Sequence, residues 1–252
     1  MPDAPWILLL LFASGLVAGW VDSIAGGGGL ITIPILLSLG LPPQIALGTN
    51  KFQASFGSFT AATYYVRKGV VSLRDALPAI LWTLVGAAIG TWSVQQIDPE
   101  FLRILIPLLL IGIAIYMLVA PPVGDHARPP RIGRHPFACI LGLFLGFYDG
   151  FFGPGVGSFW AIAYMALLGY GMTRATGYTK VMNFTSNVVS LILFLAGGFV
   201  LLLPGIIMGV GQIVGARIGS AMVITRGARF IRPVFITVVL LTTLRLLYAR
   251  FG

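Results

Sequence analysis

Apolar runs of bilayer length recur from one end of the chain to the other, and they narrow its folds more than any motif does. "PWILLLLFASGLVAGW", "LPAILWTLVGAAIGTW" and "FLRILIPLLLIGIAIYMLVA" are three of them. A helix needs about 20 such residues to cross a hydrocarbon core of about 30 Å. Only 9% of the residues are charged and 58% are hydrophobic, whereas soluble domains are roughly 25% charged. The fold class is therefore an all-α polytopic membrane protein. The first run has no Lys or Arg before it, so it reads as a retained membrane helix and not as a signal peptide.

A formal charge of +9 suggests nucleic acid only in a soluble protein. Here Lys and Arg collect in short loops, as the positive-inside rule requires. The single cysteine, Cys139, excludes an intrachain disulfide. His126 and His135 fall in a polar loop, and no ligand cluster surrounds them, so neither a metal nor a cofactor is expected.

The chain repeats itself. Gly19, Asp22, Gly26 and Gly28 match Gly146, Asp149, Gly153 and Gly155 at a constant shift. Two residues later in register, Leu39, Gly40, Ala46, Gly48 and Lys51 match Leu168, Gly169, Ala175, Gly177 and Lys180. "VGAAIG" falls on "VGARIG", and Phe101 and Arg103 fall on Phe230 and Arg232. The expected units are 1–124 and 125–252, joined by a Pro- and Arg-rich linker at about 120–136.

Each unit reads as five segments: 5–24, 27–40, 44–66, 75–95 and 100–119, then 136–150, 155–169, 173–197, 200–224 and 231–250. The second segment of each is short and opens on glycines, and such matched breaks point to a transporter's binding site. Three basic loops are assigned to the cytoplasm: Arg67, Lys68 and Arg74; Arg128, Arg131 and Arg134; and Arg226, Arg229 and Arg232. Asp98 and Glu100 lie in a loop on the other side. Under that assignment the first two segments of each unit enter and return, each unit crosses an odd number of times, and the units are inverted.

The candidate site residues come in matched sets. "AGGGGLITIP" places Gly26, Gly27, Gly28 and Gly29 at a helix start, and "FFGPGVGSFW" places Gly153, Gly155 and Gly157 at another. Helix starts carry unpaired N–H groups and a positive dipole end, which suit an anion. Close helix packing is the competing reading of such glycines. Lys51 and Lys180 sit about eight residues inside the third segments. A charge at that depth costs roughly 2.5–3.5 kcal/mol on insertion scales and usually faces a cavity or a partner. Asn50 and Gln53 flank Lys51, while Thr176, Asn183 and Asn187 share the helical face of Lys180. Asp22 and Asp149 precede the breaks. An ion pair with the lysines and protonation coupled to transport are both open for them. Arg217, inside a late apolar segment, is expected to snorkel. No catalytic set appears, so an enzyme is not expected.

"DSIAGGGGLITIPILLSLGLPPQIALGTNKFQ" and "GFYDGFFGPGVGSFWAIAYMALLG…TKVMNFTSN" resemble the TauE/SafE family, the sulfite exporter or DUF81-type permeases, over the whole chain. The resemblance implies a permease for small anions such as sulfite, organosulfonates or carboxylates, in a bacterial plasma (inner) membrane. It does not fix the substrate. "TNK" in the first unit is "YTK" in the second, so Asn50 has no amide counterpart. The expected mechanism is alternating access between the units. An anion channel and a non-catalytic membrane sensor are the alternatives. The expected partners are the small anion and the bilayer, with no nucleic acid; a homo-oligomer stays open.

Overall fold

The computed structural model describes residues 5–119 and 127–226, and every regular element among them is a helix. In chain order they are α1 (Pro5–Ala25), α2 (Gly29–Ser38), α3 (Pro43–Arg67), α4 (Leu73–Gln95), α5 (Pro99–Val119), α6 (Arg134–Phe151), α7 (Val156–Leu168), α8 (Met172–Ala196) and α9 (Leu202–Arg226). The boundaries follow local chemistry. Pro43 opens α3, where its missing N–H costs nothing. The Ser72 hydroxyl accepts the Asp75 N–H at 3.3 Å to start α4. Gly169, at φ 68°, ends α7. The segment expected at 231–250, with Arg229 and Arg232, lies outside the described residues, as does His126. His135 sits in the first turn of α6 and not in a loop, because that helix starts two residues earlier than its apolar run suggests.

Among the described residues, four helices, α1, α4, α8 and α9, are long and apolar enough to cross a membrane. The 25-residue α3 is as long but carries buried Asn50, Lys51, Gln53, Ser55 and Ser58. It avoids lipid on that face by packing between α8 and α9. The glycine-opened helices are short: 10 residues for α2 and 13 for α7, or about 15 and 20 Å.

Helix pairing is reciprocal. α1 lies along α9, α6 lies along α4, and α3 crosses α8. Lipid is as apolar as leucine, so such contacts rely on close backbone approach. Gly15 and Gly19 of α1 face the backbone of Met208 and Gln212, and Gly142 and Gly146 of α6 face Trp82 and Thr83. A side chain at any of these positions would overlap the partner helix.

Loop contacts show which ends lie together. Asp75, at the start of α4, pairs with Arg134 at the start of α6 (3.1 Å) and approaches Arg174 at the start of α8 (4.0 Å). The Arg128 N–H donates to Gly169 O, so the linker also lies at the end of α7. Thus α6 and α7 enter from one end and return to it. At the opposite end, Gln44 bonds Ile97 O and the Leu201 N–H bonds Thr49. There Leu11 of α1 and Leu36 of α2 share a buried cluster, against which Ile7, Leu37, Leu39 and Leu41 pack, so α1 and α2 form the second hairpin.

Candidate functional site

The tips of the two hairpins meet. α1 stops at Gly26, whose φ is +72°, and α6 gives way to Gly153 and Gly155, with φ of +97° and +78°. Those angles suit glycine alone among common residues. A Cβ at Gly26 would fall on Gly157, and one at Gly157 would fall on Gly26. Gly29 likewise faces Pro154. The packing reading of the glycines therefore holds for Gly26 and Gly157, which bring the hairpins into backbone contact. Ser158 fastens the junction by donating to Ala25 O at 2.7 Å.

Beside that junction the four intramembrane charges form two crossed ion pairs. Lys51 of α3 reaches Asp149 of α6, with Nζ 2.6 Å from Oδ1 and a second hydrogen bond to the Asp149 main-chain oxygen. Lys180 of α8 reaches Asp22 of α1, with Nζ 3.4 Å from Oδ2 and a hydrogen bond to the Asp22 carbonyl. Each lysine thus meets the last turn of a helix, where the negative dipole end favours a cation; the Asp22 carbonyl also accepts the Gly26 N–H. The breaks after Asp22 and Asp149 are what leave those carbonyls within reach. The ion-pair reading is the one the geometry realises, and each pair joins one hairpin to a helix from the other half of the chain.

The two pairs differ. The Asp149 side chain is 4% exposed, with Lys51 on one oxygen and the Ser186 hydroxyl donating to the other. The Asp22 side chain is 23% exposed. Its Oδ1 accepts only a long bond, 3.3 Å from the Gly28 N–H.

A cavity of about 30 Å³ opens onto this cluster, with room for about two waters. Asp22, Gly28, Gly29, Asn50, Lys51, Asp149, Gly153, Asn183 and Asn187 line it, together with Ala54, Val156 and Gln212. Nine candidates are therefore gathered around one space. Gly29 brings a helix-start N–H with no hydrogen bond among the described residues. Asn50 accepts from Thr32 (2.6 Å) and Gln53 (2.8 Å) through Oδ1, which leaves its amide N–H groups for the cavity. Asn183 Oδ1 is buried without a partner. Asn187 bonds Ser58 at 3.3 Å.

The remaining candidates stand off the cavity. Gly26, Gly27, Gly155 and Gly157 belong to the hairpin junction. Gln53 belongs to the Thr32–Asn50 network that docks α2 on α3. Lys180, fully buried, stands behind Asp22. Arg217 is exposed and lies 4.2 Å over the Tyr64 ring, so its charge rests on an aromatic face. Gln212, Ser186 and Thr32 were absent from the sequence-derived set. Gln212 had a signal, a lone amide in the apolar "GVGQIVG". No cluster of metal-ligating side chains occurs among the described residues.

Comparison with known proteins identifies the family. Residues 11–246 match the family described as "Sulfite exporter TauE/SafE". A "Probable membrane transporter protein" of Haemophilus influenzae is 45% identical over 242 residues, covering 96% of this chain and 95% of its own. "Probable membrane transporter protein YfcA" of Escherichia coli K12 is 45% identical over 249 residues, covering 99% and 93%. "Probable membrane transporter protein YdhB" of Bacillus subtilis is 27% identical, covering 93% and 99%.

Proposed function

The chain belongs to the sulfite exporter TauE/SafE family of integral membrane transporters, and on that premise we propose that it carries a small oxyanion by alternating access. One observation carries the reading: beside two helix breaks, the buried Lys51 lines a polar cavity, and its counterpart Lys180 stands directly behind that cavity's Asp22. Sulfite, an organosulfonate or a related carboxylate has the size and charge that two ammonium groups, an amide and a helix-start N–H can offset. The cavity is contracted and the lysines are held by carboxylates, so binding requires the crossed pairs to loosen. Because each pair ties a hairpin to a helix of the other half, loosening them frees the halves to rock.

The two-unit reading gains support from equivalences in the packing. Ser58 and Asn187 occupy matching positions in the two units and bond each other, as residues on a two-fold axis would. The pairings α1 with α9 and α6 with α4 are each other's counterparts. With the basic end in the cytoplasm, the units are inverted repeats in a bacterial inner membrane.

The test is counterflow in proteoliposomes with sulfite, thiosulfate, isethionate and acetate. Saturable exchange without conductance is expected for at least one of them. Lys51→Gln and Lys180→Gln should each weaken apparent affinity roughly tenfold or more, as the loss of a charge-assisted contact implies. Conductance without saturation would replace the transporter with a channel, and unchanged affinity in both variants would remove the lysines from the site.

A further inference from the structure

We infer that the anion crosses together with a proton, and that Asp22, not Asp149, carries it. This rests on the transport reading above and adds the coupling ion and its carrier. The first argument is charge balance. Lys51, Lys180, Asp22 and Asp149 sum to zero and are enclosed in the same cluster. An anion that joined them alone would leave a net negative charge in a low-dielectric interior, which is costly without a partner. A proton taken up with a monoanion restores neutrality. The lysines cannot supply it, since they already hold their protons in the ion pairs, so one of the two carboxylates accepts it.

The second argument selects the carboxylate. Asp149 is sealed, with its oxygens held by Lys51 at 2.6 Å and by Ser186. Both acids line the cavity, but Asp22 is 23% exposed and its carboxylate holds Lys180 only at 3.4 Å. Every helix packed on that part of α1 is accounted for. α8 brings Lys180, α3 brings Lys51, and Tyr65 of α3 bonds the neighbouring Ser23 carbonyl. The α2 and α7 sequences contain no Asp, Glu, Lys or Arg. α9 brings the neutral Gln212 to the cavity, while its Arg217 lies over Tyr64. Asp22 is therefore the acid with the looser partner and the greater exposure.

The step balances. A proton from water on the loading side adds to the Asp22 carboxylate, and the ion pair with Lys180 parts. The ammonium keeps its protons and turns to the anion. On the far side the anion leaves, the proton returns to water, and Asp22 takes Lys180 back. No bond of the substrate changes.

The experiment uses the full chain in proteoliposomes loaded with a pH dye. The probe is isethionate or thiosulfate, whichever the wild type exchanges; both remain fully ionised, so neither ferries protons by itself. In the wild type, an inward anion gradient should acidify the lumen by about one proton per anion carried, the capacity of the single Asp22 carboxylate. Asp22→Asn imitates the protonated acid. It should retain measurable anion exchange at a reduced rate while acidification falls to that of protein-free vesicles, and its exchange should lose dependence on pH. Asp22→Glu should restore acidification. Should Asp22→Asn prove too unstable to purify, the charge-conserving variants decide: a shifted pH dependence of exchange with Asp149→Glu but not with Asp22→Glu would assign the proton to the other acid and overturn the inference. Wild-type uptake that builds a membrane potential with no acidification overturns it as well, and leaves anion transport standing. A wild type that exchanges neither probe nor any anion of the panel defeats the transport reading itself.

Discussion

At the residue scale, the two ion pairs are chemically alike and differently held, and their contributions to stability should differ accordingly. Removing one member of a buried pair strands the other, at about 3–5 kcal/mol. Asp149→Asn strands Lys51 in a site only 2% exposed. It should lower the unfolding temperature in detergent far more than Asp22→Asn, whose acid is partly solvated and holds its lysine only at 3.4 Å. The double replacement Lys51→Met with Asp149→Leu should recover much of the loss, because no charge is then left alone. Equal losses for the two single variants would refute the ranking. The sequence exposed these four residues because a charge in an apolar run has no bland surface role. It did not expose their crossed partnership, which depends on how α6 sits against α3 and how α1 sits against α8. Ser186, Thr32 and Gln212 stayed hidden for a related reason: an uncharged polar side chain on a membrane helix means little until its neighbours are known.

At the scale of elements, helix existence was legible to within a few residues, since apolar length, prolines and glycine breaks all speak locally. Helix partnership was not. Glycines on α1, α4, α6 and α9 could have been flexible points or close contacts, and only the packing shows that they let backbones touch. Gly90 of α4 faces the backbone of Phe147 and Phe151, and Gly215 of α9 faces that of Leu16 and Trp20. Gly90→Leu and Gly215→Leu should therefore each prevent a helix pair from seating, with little monodisperse protein surviving size-exclusion chromatography. Overpacking typically costs about 1–3 kcal/mol, and more where backbone must yield. Val85→Phe adds bulk on the exposed side of α4 and should leave the profile intact. A normal profile for both leucine variants would mean that these crossings are looser than drawn.

At the scale of the whole molecule, orientation follows from joining charge to contact. Asp75 gathers the starts of α4, α6 and α8 at one end, and Arg128 holds the linker there. Gln44 and Ile97 mark the opposite end. The first end carries Arg67, Lys68, Arg74, Arg128, Arg131, Arg134 and Arg174, and the positive-inside rule predicts that it faces the cytoplasm. In a Cys139→Ala background, single cysteines at Lys68, Pro130 and Gln96, all exposed positions, should separate into two classes. Lys68→Cys and Pro130→Cys should resist a membrane-impermeant thiol reagent in intact cells and react after permeabilisation, while Gln96→Cys reacts in intact cells. If all three reverse, the protein keeps its fold but faces the other way. If Lys68→Cys and Pro130→Cys disagree with each other, the contact of Asp75 with Arg134 is wrong, because it requires the α3–α4 loop and the linker on one side.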